Sequence, residues 1–128
     1  MNPEEFEIDY FAEFDKQLKR LVTKKKFYKL PDIVDELVDE MKTGVFHGDV
    51  YFHSDVPVSY DVYKLRLPNP DANEGKSGGF RVIYSVMADN KLVVMLAVYH
   101  KKDQENVTRN YLQGLIDGYF FGNFDEEE

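Results

Sequence analysis

The second half of the chain contains an unbroken apolar run, Leu92–Tyr99, that constrains the fold more than any other feature. A short apolar run rich in β-branched residues is typical of a strand buried on both faces of a sheet. It is too short to cross a bilayer, which takes about 18 residues. We therefore expect a central strand here, with other elements covering both of its faces.

Two further strand-like segments precede this run. Residues Val62–Leu67 alternate apolar and polar side chains, and Phe80–Met87 is apolar with a turn after it at Ala88–Asn90. The stretch Pro68–Gly79 is rich in Pro, Asn, Asp and Gly, which favours a surface loop. The three strands are expected to pair antiparallel.

The first half of the chain predicts one strand followed by two helices. Glu5–Tyr10 alternates as a half-buried edge strand does, and apolar residues then recur at helical spacing from Phe11 to Val22. A second helix begins at Pro31 and stops before Gly44. We interpret 45–59 as a connecting segment.

The remaining elements complete one small domain. A helix is predicted from about Gln104 to Ile116, followed by a mobile acidic tail at 122–128. The order βααβββα indicates an α+β fold with a mainly antiparallel sheet packed against helices. A chain of 128 residues has room for a single domain, here 1–128.

Composition excludes several classes of protein. Hydrophobic residues make up 43% of the chain, enough for a core, so a wholly disordered chain is excluded. The absence of cysteine excludes disulfides, thiolate metal sites and a cysteine nucleophile, and agrees with a reducing, cytoplasmic location. Because the start Met1–Tyr10 is acidic, we expect no signal peptide. We expect a soluble cytoplasmic protein with no membrane partner.

Charge is unevenly distributed along the chain. The net charge is −8, which argues against a general nucleic-acid binder. However, Lys16–Lys29 contains seven bases and no acid, whereas Leu30–Tyr60 contains seven acids and one lysine. Between Asp61 and Tyr111, eight bases exceed six acids. The acidity therefore lies in the flanks, and the middle of the chain is locally basic.

The common catalytic motifs are absent from the sequence, including nucleotide-binding loops, the zinc-protease helix and the serine elbow. His47 and His53, with Asp49 and Asp55, leave a metal site conceivable, although solvated polar groups are the commoner interpretation. The glycines of the loop before Phe80 precede a strand and not a helix, so they lack a helix dipole for phosphate.

Cations on the predicted sheet form the strongest constellation. Lys64 and Arg66 are two apart and share one face of a strand, and Arg81 begins the next strand. Lys101 and Lys102 end the last strand. Taken singly, each is a solvated charge on an apolar stem. Together with nearby aromatic residues they predict a surface for a polyanion such as RNA.

The same residues resemble the RelE/ParE toxin superfamily, and most closely its RelE and HigB-like branch. The likeness covers about Tyr60 to Ile116, and its most specific part is Gly-Lys-Ser-Gly-Gly-Phe-Arg-Val-Ile-Tyr at 75–84. The strand Tyr-Lys-Leu-Arg-Leu at 63–67 and the segment Leu-Ala-Val-Tyr-His-Lys-Lys at 96–102 complete the pattern.

The resemblance implies the toxin of a type II toxin–antitoxin pair, a ribosome-dependent endoribonuclease that cleaves messenger RNA and inhibits translation. It implies attack of the 2′-hydroxyl on the adjacent phosphate, giving a 2′,3′-cyclic phosphate with no metal or other cofactor. The implied partners are a cognate antitoxin, the ribosome and messenger RNA. By position, the implied catalytic residues are Lys64, Arg66, Arg81 and Lys101, and the implied RNA contacts are Lys76, Tyr99 and Lys102.

The chain departs from the family pattern near its end, which leaves two alternatives open. Thr108 stands where the family has a late tyrosine, and Lys102 where it has a late arginine. His100 is a further candidate acid or base, because an imidazole pKa near 6.5 suits proton transfer. The acidic charge motivates the first alternative, a RelE-fold protein without nuclease activity that acts as a binding or regulatory module. Gyrase inhibition, as in the ParE branch, is the second.

Overall fold

The computed structural model describes residues 5–103 and 107–122. It is an α+β fold with one five-stranded mixed sheet and three α-helices. The elements are β1 (Glu7–Tyr10), α1 (Ala12–Thr23), α2 (Leu30–Lys42), β2 (Asp49–Ser54), β3 (Tyr60–Leu67), β4 (Phe80–Met87), β5 (Leu92–His100) and α3 (Arg109–Phe121).

The strands lie in the order β1-β5-β4-β3-β2. The last four in the chain form an antiparallel meander, since β2–β3, β3–β4 and β4–β5 are all antiparallel pairs. The first strand, β1, pairs parallel to β5 at the other edge. The predicted α+β class is confirmed, and the sheet is mixed because β1 runs parallel to its neighbour.

Helices cover both faces of the sheet. Phe14 and Leu21 of α1 join Leu30 and Met41 of α2 in one apolar cluster with the strands. Leu112, Leu115 and Ile116 of α3 form a second cluster on the opposite face. All eight residues of β4 are buried as a result. The expectation that the run Leu92–Tyr99 is covered on both faces is confirmed.

The segment interpreted as a connection, 45–59, contains the strand β2, so that interpretation was wrong. Gly48 and Pro57 are turn residues that lie just outside the strand, and they obscured it. The strand is specified by pairing with β3, from Asp49 opposite Lys64 to Ser54 opposite Tyr60. Such tertiary pairing has no signal in the local sequence.

The last helix begins later and ends later than predicted. Thr108 is its N-cap, and the Thr108 side chain accepts a hydrogen bond of 3.1 Å from the Tyr111 amide. Gly122 ends the helix in the left-handed conformation, with φ +72°. The helix therefore spans Arg109–Phe121 and not 104–116. Residues 104–106 and the predicted mobile tail after Gly122 lie outside the described residues.

A β-bulge interrupts the pairing of the two central strands. Ile83 faces Ala97, but the next residue, Tyr84, faces Met95, so Leu96 is the extra residue in β5. Leu96 and Ala97 consequently both belong to the apolar cluster beneath α3. The side-chain alternation of β5 changes phase at this point.

Within the described ranges, no helix has the length and apolar character required to cross a membrane.

Gly79, immediately before β4, is required by close backbone contact. A Cβ atom at this position would lie 2.2 Å from the Leu67 carbonyl oxygen and 2.9 Å from the Asn69 amide nitrogen. We expect Gly79→Ala to lower the free energy of unfolding by about 2 kcal/mol or more, because backbone atoms must move. The control Gly75→Ala, with nothing within 4 Å of the added Cβ, should change it little. Urea unfolding of both variants tests this, and equal midpoints would contradict it.

Candidate RNA-binding cleft

A cleft of about 830 Å³ opens at the edge of β3, beside the first residue of β2. It extends around this edge, from α2 on one face of the sheet to cations on the other face. Its lining residues are Ile33, Glu36, Leu37, Glu40, His47, Gly48, Asp49, Val50, Tyr51, Lys64, Leu65, Arg66, Leu67, Lys76, Arg81 and Lys101.

The cleft exists because the chain leaves the sheet edge at Gly48. This glycine has φ +100°, and a Cβ there would lie 2.6 Å from the Lys64 carbonyl oxygen. Pairing of β2 with β3 ends at Asp49 opposite Lys64. Among the described residues, no strand pairs with the outer edge of β3 from Leu65 to Leu67, and this edge forms the cleft floor.

Cations from two neighbouring strands form one wall. Lys64 and Arg66 lie on the α3-facing side of β3, in phase with the buried Val62. Arg81 is directly opposite Arg66 in register. Directly opposed residues in an antiparallel pair have Cα atoms about 4.5–5.5 Å apart. Like charges at this separation repel, so the pair favours the presence of an anion.

The Arg81 guanidinium is held by the protein's own carbonyl groups. Nη1 donates to the carbonyls of Lys76 at 3.1 Å and Phe80 at 3.2 Å, and Nη2 donates to that of Ser77 at 3.1 Å. These bonds use three of its five N–H groups. Within the described residues, the Nε–H group and one N–H of Nη2 have no acceptor. These two donors are enough to bind two oxygens of one phosphate.

Electrostatics at Arg81 are unusual for a buried cation. The side chain is only 6% exposed, and burial, followed by the neighbouring Arg66, lowers its pKa.

Among the described residues, none of the lysines and arginines that line the cleft forms an ion pair with a carboxylate. Asp49 lies opposite Lys64 in register, whereas Arg66 and Arg81 lie opposite each other, so the positive charge that suits an anionic ligand is concentrated at this arginine pair.

Aromatic side chains flank the cations. The Lys64 ammonium lies 5.8 Å from the centre of the Tyr51 ring, within range of a cation–π contact. Tyr99 faces Arg81 across the strands, but it is 6% exposed, and its hydroxyl has no hydrogen-bond partner in the described part of the chain. Burial raises the pKa of Tyr99 to about 12.

Glu74 bonds the loop between β3 and β4 to the end of the sheet. Its carboxylate is bonded to His100 Nε2 at 2.6 Å and Lys102 Nζ at 2.7 Å, and accepts from Asn69 Nδ2 at 3.1 Å. His100 also packs its ring on Phe80 and lies on the α1–α2 side. The same loop is thus bonded to one face of the sheet through the Glu74 carboxylate and to the other through the carbonyl groups that accept from Arg81.

Two acidic residues of α2 form the opposite wall of the cleft, and a third acid lies beside the cations. Glu36 and Glu40 are one turn apart on α2, whereas Asp49 begins β2 directly opposite Lys64 in register. Glu40 is bonded to His47 at 2.8 Å. The cleft therefore has walls of opposite sign.

The structure brings five of the predicted site residues together: Lys64, Arg66, Lys76, Arg81 and Lys101 all line the cleft. It does not bring the other three to its surface. Tyr99 lies beneath the cation wall, His100 is buried on the opposite face of the sheet, and the exposed Lys102 is paired with Glu74.

Sequence reasoning missed Glu74 and the aromatic ring of Tyr51. Neither has a local signal, since Glu74 reaches a residue 26 positions away and Tyr51 lies in a strand that was not recognised. The acidic wall had a partial signal in the run of acids between Leu30 and Tyr60.

His47 and His53, which the sequence left conceivable as metal ligands, bind different carboxylates. His53 is bonded to Asp61 at 2.8 Å and to Asp55 at 2.9 Å, whereas His47 is bonded to Glu40. Over residues 5–103 and 107–122, no three histidine or acidic side chains are grouped as metal ligands would be.

Comparisons with models of protein families, with curated proteins and with solved structures found no match to this chain. The likeness to RelE-type toxins consequently depends on the motif residues themselves.

The Glu74 contacts predict a specific dependence of stability on pH. Bonds from Lys102 and His100 lower the pKa of Glu74 to about 2. A lowered folded-state pKa stabilises the fold above the unfolded pKa, near 4.5, and this contribution is lost as the pH falls toward 2. We expect Glu74→Gln to be less stable than wild type at pH 7 and to lose less stability between pH 4.5 and 2.

Chemical unfolding at a series of pH values measures this difference. Lys102→Met removes the largest cause of the lowered Glu74 pKa. The variant should therefore complete its loss of stability at a higher pH than wild type does. Parallel curves for wild type and Glu74→Gln would contradict the assignment.

Proposed function

We propose that this protein is the toxin of a type II toxin–antitoxin pair, a ribosome-dependent endoribonuclease with a RelE-like fold. The observation that carries the proposal is the cation wall: Lys64, Arg66, Lys76, Arg81 and Lys101 line one cleft. The motif residues that resemble the family supply most of this wall. A cleft of about 830 Å³ is of a size that accommodates a small ligand or part of a nucleic-acid strand.

The proposed reaction is cleavage of RNA by its own 2′-hydroxyl. The 2′-oxygen forms a bond to the adjacent phosphorus while the bond from phosphorus to the 5′-oxygen breaks. Lys64, in its neutral amine form, is the proposed acceptor of the 2′-hydroxyl proton, and Lys101, as an ammonium, is the proposed donor to the leaving 5′-oxygen. Arg66 and Arg81 bind the phosphate and stabilise the charge that grows in the transition state.

Preorganisation of Arg81 supports this assignment. Its three carbonyl acceptors fix the guanidinium plane before any ligand arrives, and fixed donors stabilise developing charge without reorganising. The Lys76 carbonyl is one of the acceptors, so RNA contact by the Lys76 side chain is coupled to the position of Arg81. We propose the ribosome and messenger RNA as substrate partners and an antitoxin as the inhibitor.

Controlled expression in a bacterium tests the nuclease. Wild-type protein should arrest growth and produce new messenger-RNA 5′ ends, and Arg66→Ala and Arg81→Ala should reduce cleavage by about 100-fold or more, as loss of a transition-state donor does. The control Lys42→Ala removes a cation paired with Asp39, outside the cleft, and should cleave normally. Unaltered cleavage by a folded Arg66→Ala protein would count against the proposal.

The acidic wall favours a second candidate function, a RelE-fold binding module without nuclease activity. Glu36 and Glu40 line the cleft on α2, Asp49 lies opposite Lys64 in register, and all three repel an RNA phosphate. A partner with both basic and acidic groups would match such a cleft. Normal growth with intact messages, from well-expressed folded protein, would favour this candidate.

Under either function, the acidic wall is expected to weaken RNA binding. We predict that the triple variant Glu36→Gln, Glu40→Gln, Asp49→Asn binds single-stranded RNA about tenfold more tightly than wild type at low salt. The gain should shrink as salt screens the charges. Fluorescence anisotropy with a labelled oligonucleotide measures it. The control Asp32→Asn, Asp35→Asn, Asp39→Asn changes as much charge on the same helix away from the cleft lining, and an equal gain there would indicate a net-charge effect only.

A further inference from the structure

The densest concentration of positive charge lies outside the cleft, on α1 and the turn that follows it. We call it the basic ridge: Lys16, Lys19, Arg20, Lys24, Lys25, Lys26 and Lys29, all exposed. On α1, residues 16, 19 and 20 lie opposite the buried Phe14 and Leu21, so their charges share one helix face. Such crowding costs energy in a protein with an overall charge of −8.

The turn after α1 places a lysine where the backbone favours glycine. The Phe27 amide donates to the Leu21 carbonyl at 3.1 Å, and Lys26 between them has φ +63°. A residue other than glycine is uncommon at such a φ, because a Cβ is strained there. This position carries an exposed charge at the centre of the ridge.

The ridge is fixed to the elements that form the cleft. Phe27 packs its ring against Phe80 and His100. The Lys29 amide donates to Asp71 in the loop before β4 at 2.8 Å, and Lys25 is 3.6 Å from Asp103 at the end of β5. Lys76 and Lys101 of the cleft belong to these same two segments. The two positive surfaces are therefore held in a defined relation.

We propose that the basic ridge is a second RNA-binding surface, which binds the phosphate backbone of folded, double-helical RNA. It deepens the proposed function, on which it rests for its link to the cleft. The ridge is a convex surface, and Tyr28, in the turn after α1, is its one exposed aromatic residue. Such a surface does not offer the stacking platform that single strands require. Folded RNA presents two closely spaced rows of phosphates, which exposed ammonium groups can neutralise without reading sequence.

Binding of an RNA hairpin with 2′-O-methyl riboses tests the ridge, because this probe cannot be cleaved by 2′-hydroxyl attack. We expect Lys19→Gln, Lys24→Gln to weaken binding about tenfold at low salt. The slope of log affinity against log salt should fall in magnitude by about 1.8, since each lost phosphate contact contributes about 0.9. The control Lys42→Gln, Lys91→Gln removes equal charge elsewhere and should keep the wild-type slope.

A pair of glycine variants separates binding from folding. Lys26 and Lys91 both have positive φ, +63° and +50°, so Lys26→Gly and Lys91→Gly each relieve a strained backbone and remove one charge. Both should unfold at the same temperature as wild type or higher. Only Lys26→Gly should weaken hairpin binding, by about threefold at low salt.

The outcomes distinguish this surface from the cleft. Lys64→Gln, Arg66→Gln should abolish cleavage yet retain most of the hairpin affinity. A wild-type protein that binds the hairpin through the ridge but cleaves no RNA would overturn the nuclease and support the ridge. Equal losses in the ridge and control variants, or binding to anionic lipid vesicles with none to the hairpin, would overturn the ridge.

Discussion

The burial of β4 between two layers is the constraint on which the rest of the structure depends. Every residue of this strand is buried, with helices α1 and α2 on one side and α3 on the other. An arginine within such a strand must find acceptors inside the protein. Arg81 finds them in the carbonyls of the preceding loop, so the requirement for burial also shapes the loop that carries Lys76.

Most positive side chains of this protein lie on two surfaces. Cations line one wall of the cleft, the acids of α2 line the other, and the basic ridge lies apart on α1 and the turn after it. The overall charge of −8 therefore gives a poor description of any one surface. Long-range attraction of an anion depends on the local field, which falls off within about 8–10 Å at physiological salt. Separate positive surfaces can thus attract an anion although the protein as a whole is acidic.

Much of the fold could be predicted from sequence, because periodicity reports burial directly. The apolar run of β5 and the alternation of β3 gave the correct elements, and Lys64 and Arg66 were correctly placed on one face. The strand β2 could not be predicted, because it is specified by pairing with β3 and not by its own pattern. The role of Glu74 was equally hidden, since its partners His100 and Lys102 are brought near only by the folded loop.

The bulge at Leu96 decides which side chains of the last strand meet the cleft. Strict alternation from Val94, which lies beneath α3, would carry His100 to the α3 face and Lys101 to the other. The single extra residue reverses this, so Lys101 lines the cleft and His100 is buried against Glu74. Deletion of the Leu96 codon in an evolving lineage would remove the bulge yet leave Lys101 on the cleft side, because the remaining residues then alternate regularly. A gap at this position in an alignment would therefore mark a change in the shape of the strand and not a change in the chemistry of the cleft.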